Sequence, residues 1–340
     1  ATLIMSEFTS PSPSESSPTV TIPVIDFSLF LNGSSEQRNE IAHEIGRACE
    51  EIGFLIVKNS GVDREILDST WEVTKEFFDR PQAEKELLIK EQSEYPYGYT
   101  AVGGEILNAG KASELKTESK SLPDLKEMFS IGPANPLAGM PPRIWPENPV
   151  DFQAKWEAYY EALTNLANQI LKAFAISLNL PENYFEQFTT HHASAIRALN
   201  YPHLEGYEPQ PGQIRASAHT DYGTITILRS GGPGLQVSKD RNPPNWVDVP
   251  HMEDVFIINL GDLMRRWTND KWQSTLHQVI NPPSGSGWGR RHSMAFFHNL
   301  NPDAVVSVIG TEEPKYEPIV AGDFLLQKHL ASMAVKGATA

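Results

Sequence analysis

Apolar positions along this chain follow two different periods. Over 36–52 and 64–78 they recur at steps of three and four, as on amphipathic helices, and Asp79-Arg80-Pro81 stops the second run. The strongest helical signal covers 151–178, where Phe152, Trp156, Tyr159, Leu163, Leu166, Ile170 and Phe174 make one stripe that Asn179-Leu180-Pro181 ends. A bulky stripe of this kind predicts packing against a sheet rather than a ligand pocket. In the C-terminal half the runs 224–228, 274–280 and 291–297 are short, β-branched or aromatic, and bounded by Gly, Pro or Asn, which predicts strands. Residues 6–18 belong to neither pattern. Ser, Pro, Glu and Thr dominate there, so residues 1–19 are expected to form a disordered tail. The expected organisation is a helix-rich part over 20–150 and a long helix plus a strand-rich core over 151–335, joined in one compact unit of a β-rich α+β class. A length of 340 residues suits this, because β-rich folds commonly run past 200 residues as one domain.

Candidate chemistry sits on the strands. In His219-Thr220-Asp221 the two ligand-type residues are at i and i+2, positions that share a face on a strand and diverge on a helix. His277 lies on a further β-rich run closed by Asn281-Pro282-Pro283. Two imidazoles and one carboxylate on one side of a metal leave open positions for a cosubstrate and oxygen, as in ferrous facial triads. Zinc hydrolysis would need a nearby general base, such as a His-Glu-x-x-His pair, and the chain has none. Arg291 and Ser293 repeat the i, i+2 spacing on a strand whose one face also carries Ala295 and Phe297. A guanidinium beside a hydroxyl suits a carboxylate. His292 is expected to point the other way.

These motifs resemble the iron(II)- and 2-oxoglutarate-dependent dioxygenases, in the branch that includes isopenicillin N synthase and the plant and fungal small-molecule hydroxylases. The likeness extends from about residue 22 to about 330. Besides the three segments above it includes Ile22-Pro23-Val24-Ile25-Asp26-Phe27, the run Gly53 onward to Val62, and Asn259-Leu260-Gly261-Asp262-Leu263. Ser60 stands where the family usually has His, and Asn200-Tyr201-Pro202 is one residue shorter than the usual motif. The resemblance implies a double-stranded β-helix, or jelly-roll, core with flanking helices mainly from the N-terminal half. It implies Fe(II) held by His219, Asp221 and His277, and 2-oxoglutarate held by Arg291 and Ser293 with Tyr201 alongside. O2 would cleave the cosubstrate to succinate and CO2 and leave an oxidised iron able to take a hydrogen atom from a small molecule, with ascorbate as a candidate reductant. Tyr97 and Tyr99, in an aromatic, glycine-rich segment that borders the entrance in relatives, are candidate substrate contacts. So are Tyr222, beside Asp221, and Phe297. Residues 124–129 resemble a further rim segment.

Two other functions stand beside this one. An oxidase that needs no 2-oxoglutarate, of the isopenicillin N synthase or aminocyclopropane carboxylate oxidase type, would share the triad and the Arg-x-Ser pair. A non-catalytic binding protein on the same scaffold becomes unattractive once all three ligands are in place. The remaining histidines lack partners at metal spacing.

Composition narrows the partners. A net charge of -15 opposes a phosphate backbone, so no nucleic acid partner is expected. The same field repels anions generally, so Arg291 must act in a partly desolvated pocket. Cys49 is the single cysteine, which excludes an intrachain disulfide, predicts a buried packing residue and suggests a reducing compartment. No run of 18 apolar residues exists and the first residues lack the pattern of a secretory leader. A cytoplasmic monomer with no membrane partner is the expectation.

Overall fold

A computed structural model describes residues 20–90, 95–107, 122–137, 139–310 and 313–333. The tail expected over 1–19, and residues 108 to 110 of the tyrosine-rich segment, lie outside them. In chain order the elements are β1 (Val24–Asp26), α1 (Ser28–Asn32), α2 (Ser35–Glu51), β2 (Phe54–Lys58), α3 (Arg64–Phe78), α4 (Gln82–Glu86), β3 (Gly98–Thr100), β4 (Glu127–Ile131) and α5 (Phe152–Ser177). There follow β5 (Ala195–Tyr201), β6 (Ala216–His219), β7 (Ile225–Ser230), β8 (Leu235–Ser238), β9 (Val247–Asp248), β10 (Val255–Leu260), α6 (Asp262–Trp267), β11 (Leu276–Val279), β12 (Arg291–His298), β13 (Val305–Val306), β14 (Ile319–Val320) and α7 (Ala321–Met333).

Helices α2, α3 and α5 form where the threefold and fourfold spacing predicts, and local chemistry fixes the starts of the first two. Ser34 and Gln37 make a reciprocal capping box at α2, and the Asp63 carboxylate accepts from the Glu65 and Ile66 amides at α3. Helix α5 buries its whole aromatic stripe, with Phe152, Trp156, Tyr159 and Phe174 at 0% exposure. Trp156 meets Phe129 edge to face at 5.3 Å and its indole N–H donates to Thr74 Oγ1 at 2.9 Å. Removing that ring should cost about 3 to 5 kcal/mol. Urea denaturation of Trp156→Ala should therefore give a much lower midpoint with little change in slope.

Eight strands form the major sheet in the order β1-β2-β10-β7-β12-β5-β4-β3, and β6-β11-β8-β9 form the minor one. Both halves of the chain contribute to the major sheet. All of its pairings are antiparallel except β1 with β2. Alternation along β12 sorts the layers. Met294, Phe296 and His298 face the helices, with Phe296 against Tyr160 at 5.5 Å. Arg291, Ser293, Ala295 and Phe297 face the minor sheet and line a cavity of about 520 Å³ between the sheets. An inter-sheet cluster of Phe54, Ile56, Leu199, Tyr201, Leu235, Val237 and Val279 closes around that space. The arrangement is the two-sheet jelly roll with helices packed outside it. Cys49 is fully buried, and His292 does point away, onto Trp71 at 4.2 Å.

Candidate active site

Strand pairing brings the predicted ligands together. His219 and His277 are register partners on β6 and β11, which sets their rings 4.2 Å apart. Asp221 lies beyond the end of β6, in the connection to β7, so the expectation that a strand carries both ligands holds for His219 alone. A hydrogen-bonded turn does for Asp221 what a strand would have done. The amides of Asp262 and Leu263, opening α6, donate to the carbonyls of Asp221 and Tyr222 at 2.8 and 3.1 Å. The first N–H groups of a helix have no partner within it, and here they fasten the ligand loop. Gly261 stands so close to the Gly223 backbone that any Cβ would collide with it, which explains the glycine in Asn259-Leu260-Gly261-Asp262.

Each candidate ligand is aimed by its second polar atom. The Nδ1 atoms of His219 and His277 lie 2.7 and 2.9 Å from the carbonyls of Ser217 and Thr275. A carbonyl only accepts, so both Nδ1 atoms carry the proton and both Nε2 atoms keep a lone pair. Asp221 Oδ2 accepts from Thr226 Oγ1 and Asn259 Nδ2, each at 2.6 Å. Its Oδ1 then faces the two Nε2 atoms at 3.8 and 3.5 Å. Burial opposes charge on Asp221, but without a metal the protonated forms of His277 and His219, with the Thr226 hydrogen bond, outweigh it and hold the carboxyl far below its usual range. A bound cation would take the place of those two Nε2 protons. One donor atom from each of the three residues lies within 4.8 Å of the others. Two neutral nitrogens and a carboxylate oxygen, each held by a partner behind it, fit a divalent ion such as Fe(II). Thr226→Ala or Asn259→Ala should each weaken Fe(II) affinity about 10-fold while leaving the fold in place, measurable by competition with a chromogenic chelator.

Arg291 and Ser293 open onto the same cavity, at 2% and 1% exposure. Tyr201 is the register partner of Arg291, whose guanidinium carbon lies 5.1 Å from the tyrosine ring centre. Arg291 donates to Ser230 Oγ at 2.8 Å and the Gly232 carbonyl at 3.2 Å. Burial pulls its pKa down and Tyr201 counters that, but an arginine stays charged. Among the described residues no carboxylate pairs with it. A buried cation with neutral partners favours an incoming anion, and a dicarboxylate supplies one.

The other predicted contacts divide. Tyr97, Tyr222 and Phe297 line the cavity. Tyr99 touches its edge, but the hydroxyl donates to Glu127 in a short bond and the ring packs on Phe77 at 6.3 Å. Of residues 124–129, Lys126 and Met128 line the cavity and Phe129 faces the helices. Sequence reasoning missed Arg197, whose guanidinium lies 5.5 Å from the Phe297 ring centre. It also missed Glu105, which Arg197 meets at 3.3 Å. Burial opposes charge on Glu105, but Lys126 and Arg197 pull its pKa down to about 2. Arg197 was detectable, since it shares strand parity with Tyr201. His329, on α7, lines the cavity from the far side and meets Tyr222 edge to face at 5.6 Å. No local pattern announces that helix's docking.

Known proteins place this geometry in a family. Residues 22–148 match the N-terminal family described as non-haem dioxygenase in morphine synthesis, and residues 193–300 match the 2OG-Fe(II) oxygenase superfamily. A 2-oxoglutarate-Fe(II) type oxidoreductase of Emericella nidulans is 32% identical over 89% of this chain and 88% of its own. A Neurospora crassa protein solved with alpha-KG and thymine superposes with a TM-score of 0.79, at 31% identity over 91% of this chain and 96% of that one. JOX2, solved with 2OG, Fe and JA, gives a TM-score of 0.70, at 26% identity over 94% and 88%. The chain belongs to the 2-oxoglutarate- and Fe(II)-dependent oxygenase superfamily. It is an oxidoreductase that uses Fe(II), 2-oxoglutarate and O2 on a small molecule, and these relatives favour that reading over a 2-oxoglutarate-independent oxidase.

Proposed function

We propose that His219, Asp221 and His277 hold the iron, that Arg291 and Ser293 bind the distal carboxylate of 2-oxoglutarate beside Tyr201, and that the substrate fills the rest of the cavity against Tyr97, Tyr222 and Phe297. The buried Arg291, without a carboxylate partner among the described residues and opening onto the cavity of the triad, carries this reading. Bound there, Fe(II) would supply the reduction of O2 coupled to decarboxylation of the keto acid. The residues bind, orient and exclude water. The two imidazoles and Asp221 present their donors, Arg291 sets the keto acid's reach, and the apolar walls keep the substrate bond dry. The cavity volume of about 520 Å³ must hold cosubstrate and substrate together, which suits a compact substrate. Arg197 gives that substrate one polar anchor, and the Phe297 ring gives it a flat surface.

The protein acts as a monomer in the cytoplasm, without nucleic acid or membrane partners, and residues 20–150 and 151–335 form one unit. The net charge supports the first exclusion, and no described helix is long and apolar enough to cross a membrane. Succinate release measured against a panel of small heterocycles and acids, beginning with thymine, tests the reading. One compound should stimulate release well above the background of cosubstrate alone. Background release unaffected by Arg291→Ala would contradict the assignment of the clamp.

A further inference from the structure

We propose that a buried ionic chain, Arg197 to Glu105 to Lys126 to Asp124 to Ser217, positions His219 and ties the substrate wall to the metal site. The inference rests on the proposed function in taking His219 as a ligand.

Every link is a short contact. Arg197 Nη1 lies 3.3 Å from Glu105 Oε1. Lys126 Nζ lies 2.9 Å from Glu105 Oε2 as an ion pair, and donates to Asp124 Oδ2 at 2.9 Å. Asp124 Oδ1 accepts both from the Ser217 amide at 2.9 Å and from its hydroxyl at 2.5 Å. The Ser217 carbonyl takes the Nδ1 proton of His219 at 2.7 Å. Asp124 and Lys126 are 0% and 2% exposed, so solvent screens little of this. Two cations and two carboxylates balance, a condition for burying such a group, and disturbing one member leaves its neighbour's charge uncompensated.

The other histidine lacks this wiring. His277 leans on the Thr275 carbonyl, and the Thr275 hydroxyl donates to the Ile52 carbonyl, so its support is neutral. Both histidines lean on a backbone carbonyl, but only the peptide behind His219 is fastened to a charge network, whose far end, Arg197, stands in the substrate cavity. A polar substrate group that draws on Arg197 changes the load on Glu105 and Lys126. Asp124 passes that change to the peptide that sets the His219 ring. Glu105, Lys126 and Asp124 are positioning residues in this scheme, and they touch no reacting atom.

Cobalt-substituted full-length protein with 2-oxoglutarate tests the wiring without any substrate, through the Co(II) ligand-field bands and the Co(II) Kd. Asp124→Asn should shift the bands and raise Kd about 10-fold to 100-fold, the range for partners behind a ligand. Glu105→Gln, milder and further from the metal, should move both in the same direction. The double variant should go no further than Asp124→Asn alone, because both changes break one chain. Glu127→Gln is the control, since its buried ion pair with Lys85 at 2.9 Å lies off the chain. It should lower stability and leave the bands alone. Glu105→Gln with bands and Kd superimposable on wild type would overturn the proposal, as would an equal shift in Glu127→Gln. Wild type that binds no Co(II) would remove the metal assignment itself, and with it the chain's purpose.

Discussion

Asp221→Ala is expected to lose Fe(II) and turnover together. Asp221 contributes the only carboxylate of the cluster, and its Oδ1 stands within 3.8 Å of both imidazole Nε2 atoms. Removing it leaves two neutral nitrogens and a cavity lined on that side by Thr226 and Asn259, whose donors then point at nothing. The loss in Fe(II) affinity should exceed the roughly 100-fold upper range seen for partners behind a ligand. The fold should survive, because the carbonyl of residue 221 still receives the Asp262 amide whatever the side chain. Iron content by chelator assay beside a near-ultraviolet circular dichroism spectrum separates the two effects. Iron retained in Asp221→Ala would remove this residue from the ligand set.

Arg291→Ala should act on the cosubstrate and spare the metal. Arg291 lies apart from the triad, and among the described residues its partners are Ser230, Gly232 and Tyr201, all neutral. Truncating one side of a desolvated charged contact costs about 2 to 5 kcal/mol. That corresponds to roughly a 30-fold or larger rise in the apparent Kd for 2-oxoglutarate. Arg291→Lys should recover only part of it, since a lysine keeps the charge and loses the planar fork. Equilibrium binding of 2-oxoglutarate to the iron-loaded, oxygen-free protein measures this directly. An unchanged Kd in Arg291→Ala would refute the clamp.

The two sites differed in how far they could be read from sequence. Arg291 and Ser293 are legible because period-two alternation assigns faces by parity, and β12 runs unbroken from Arg291 to His298. The same rule, applied to β5, would have found Arg197 from Tyr201. His219 and His277 were legible by type and spacing, and their pairing required only that β6 and β11 be neighbours. Asp221 fell on a turn. Its position depends on amides from α6, some forty residues later, so strand geometry reached the right residue by an incomplete reason. The three long helices α2, α3 and α5 are predictable nearly to the residue, since their apolar stripes are local, whereas the short α1, α4 and α6 and the C-terminal α7 are not expected from the pattern. Glu105 and His329 are not legible in this way, and Asp124 is legible only as part of the 124–129 rim segment, without its hold on Ser217. They meet through loops and a C-terminal helix whose docking is a long-range packing outcome with no periodic trace. The aromatic, glycine-rich setting points to Tyr99 as a substrate contact, but the buried Glu127 engages its hydroxyl.

The most direct test of the central claim is an anaerobic absorption titration of apo-protein with Fe(II) followed by 2-oxoglutarate. Wild type should develop the visible metal-to-ligand charge-transfer band of the chelate. Arg291→Ala should need far more 2-oxoglutarate to reach it, and Asp221→Ala should never develop it. Iron binding in wild type with no band at saturating 2-oxoglutarate would contradict the account.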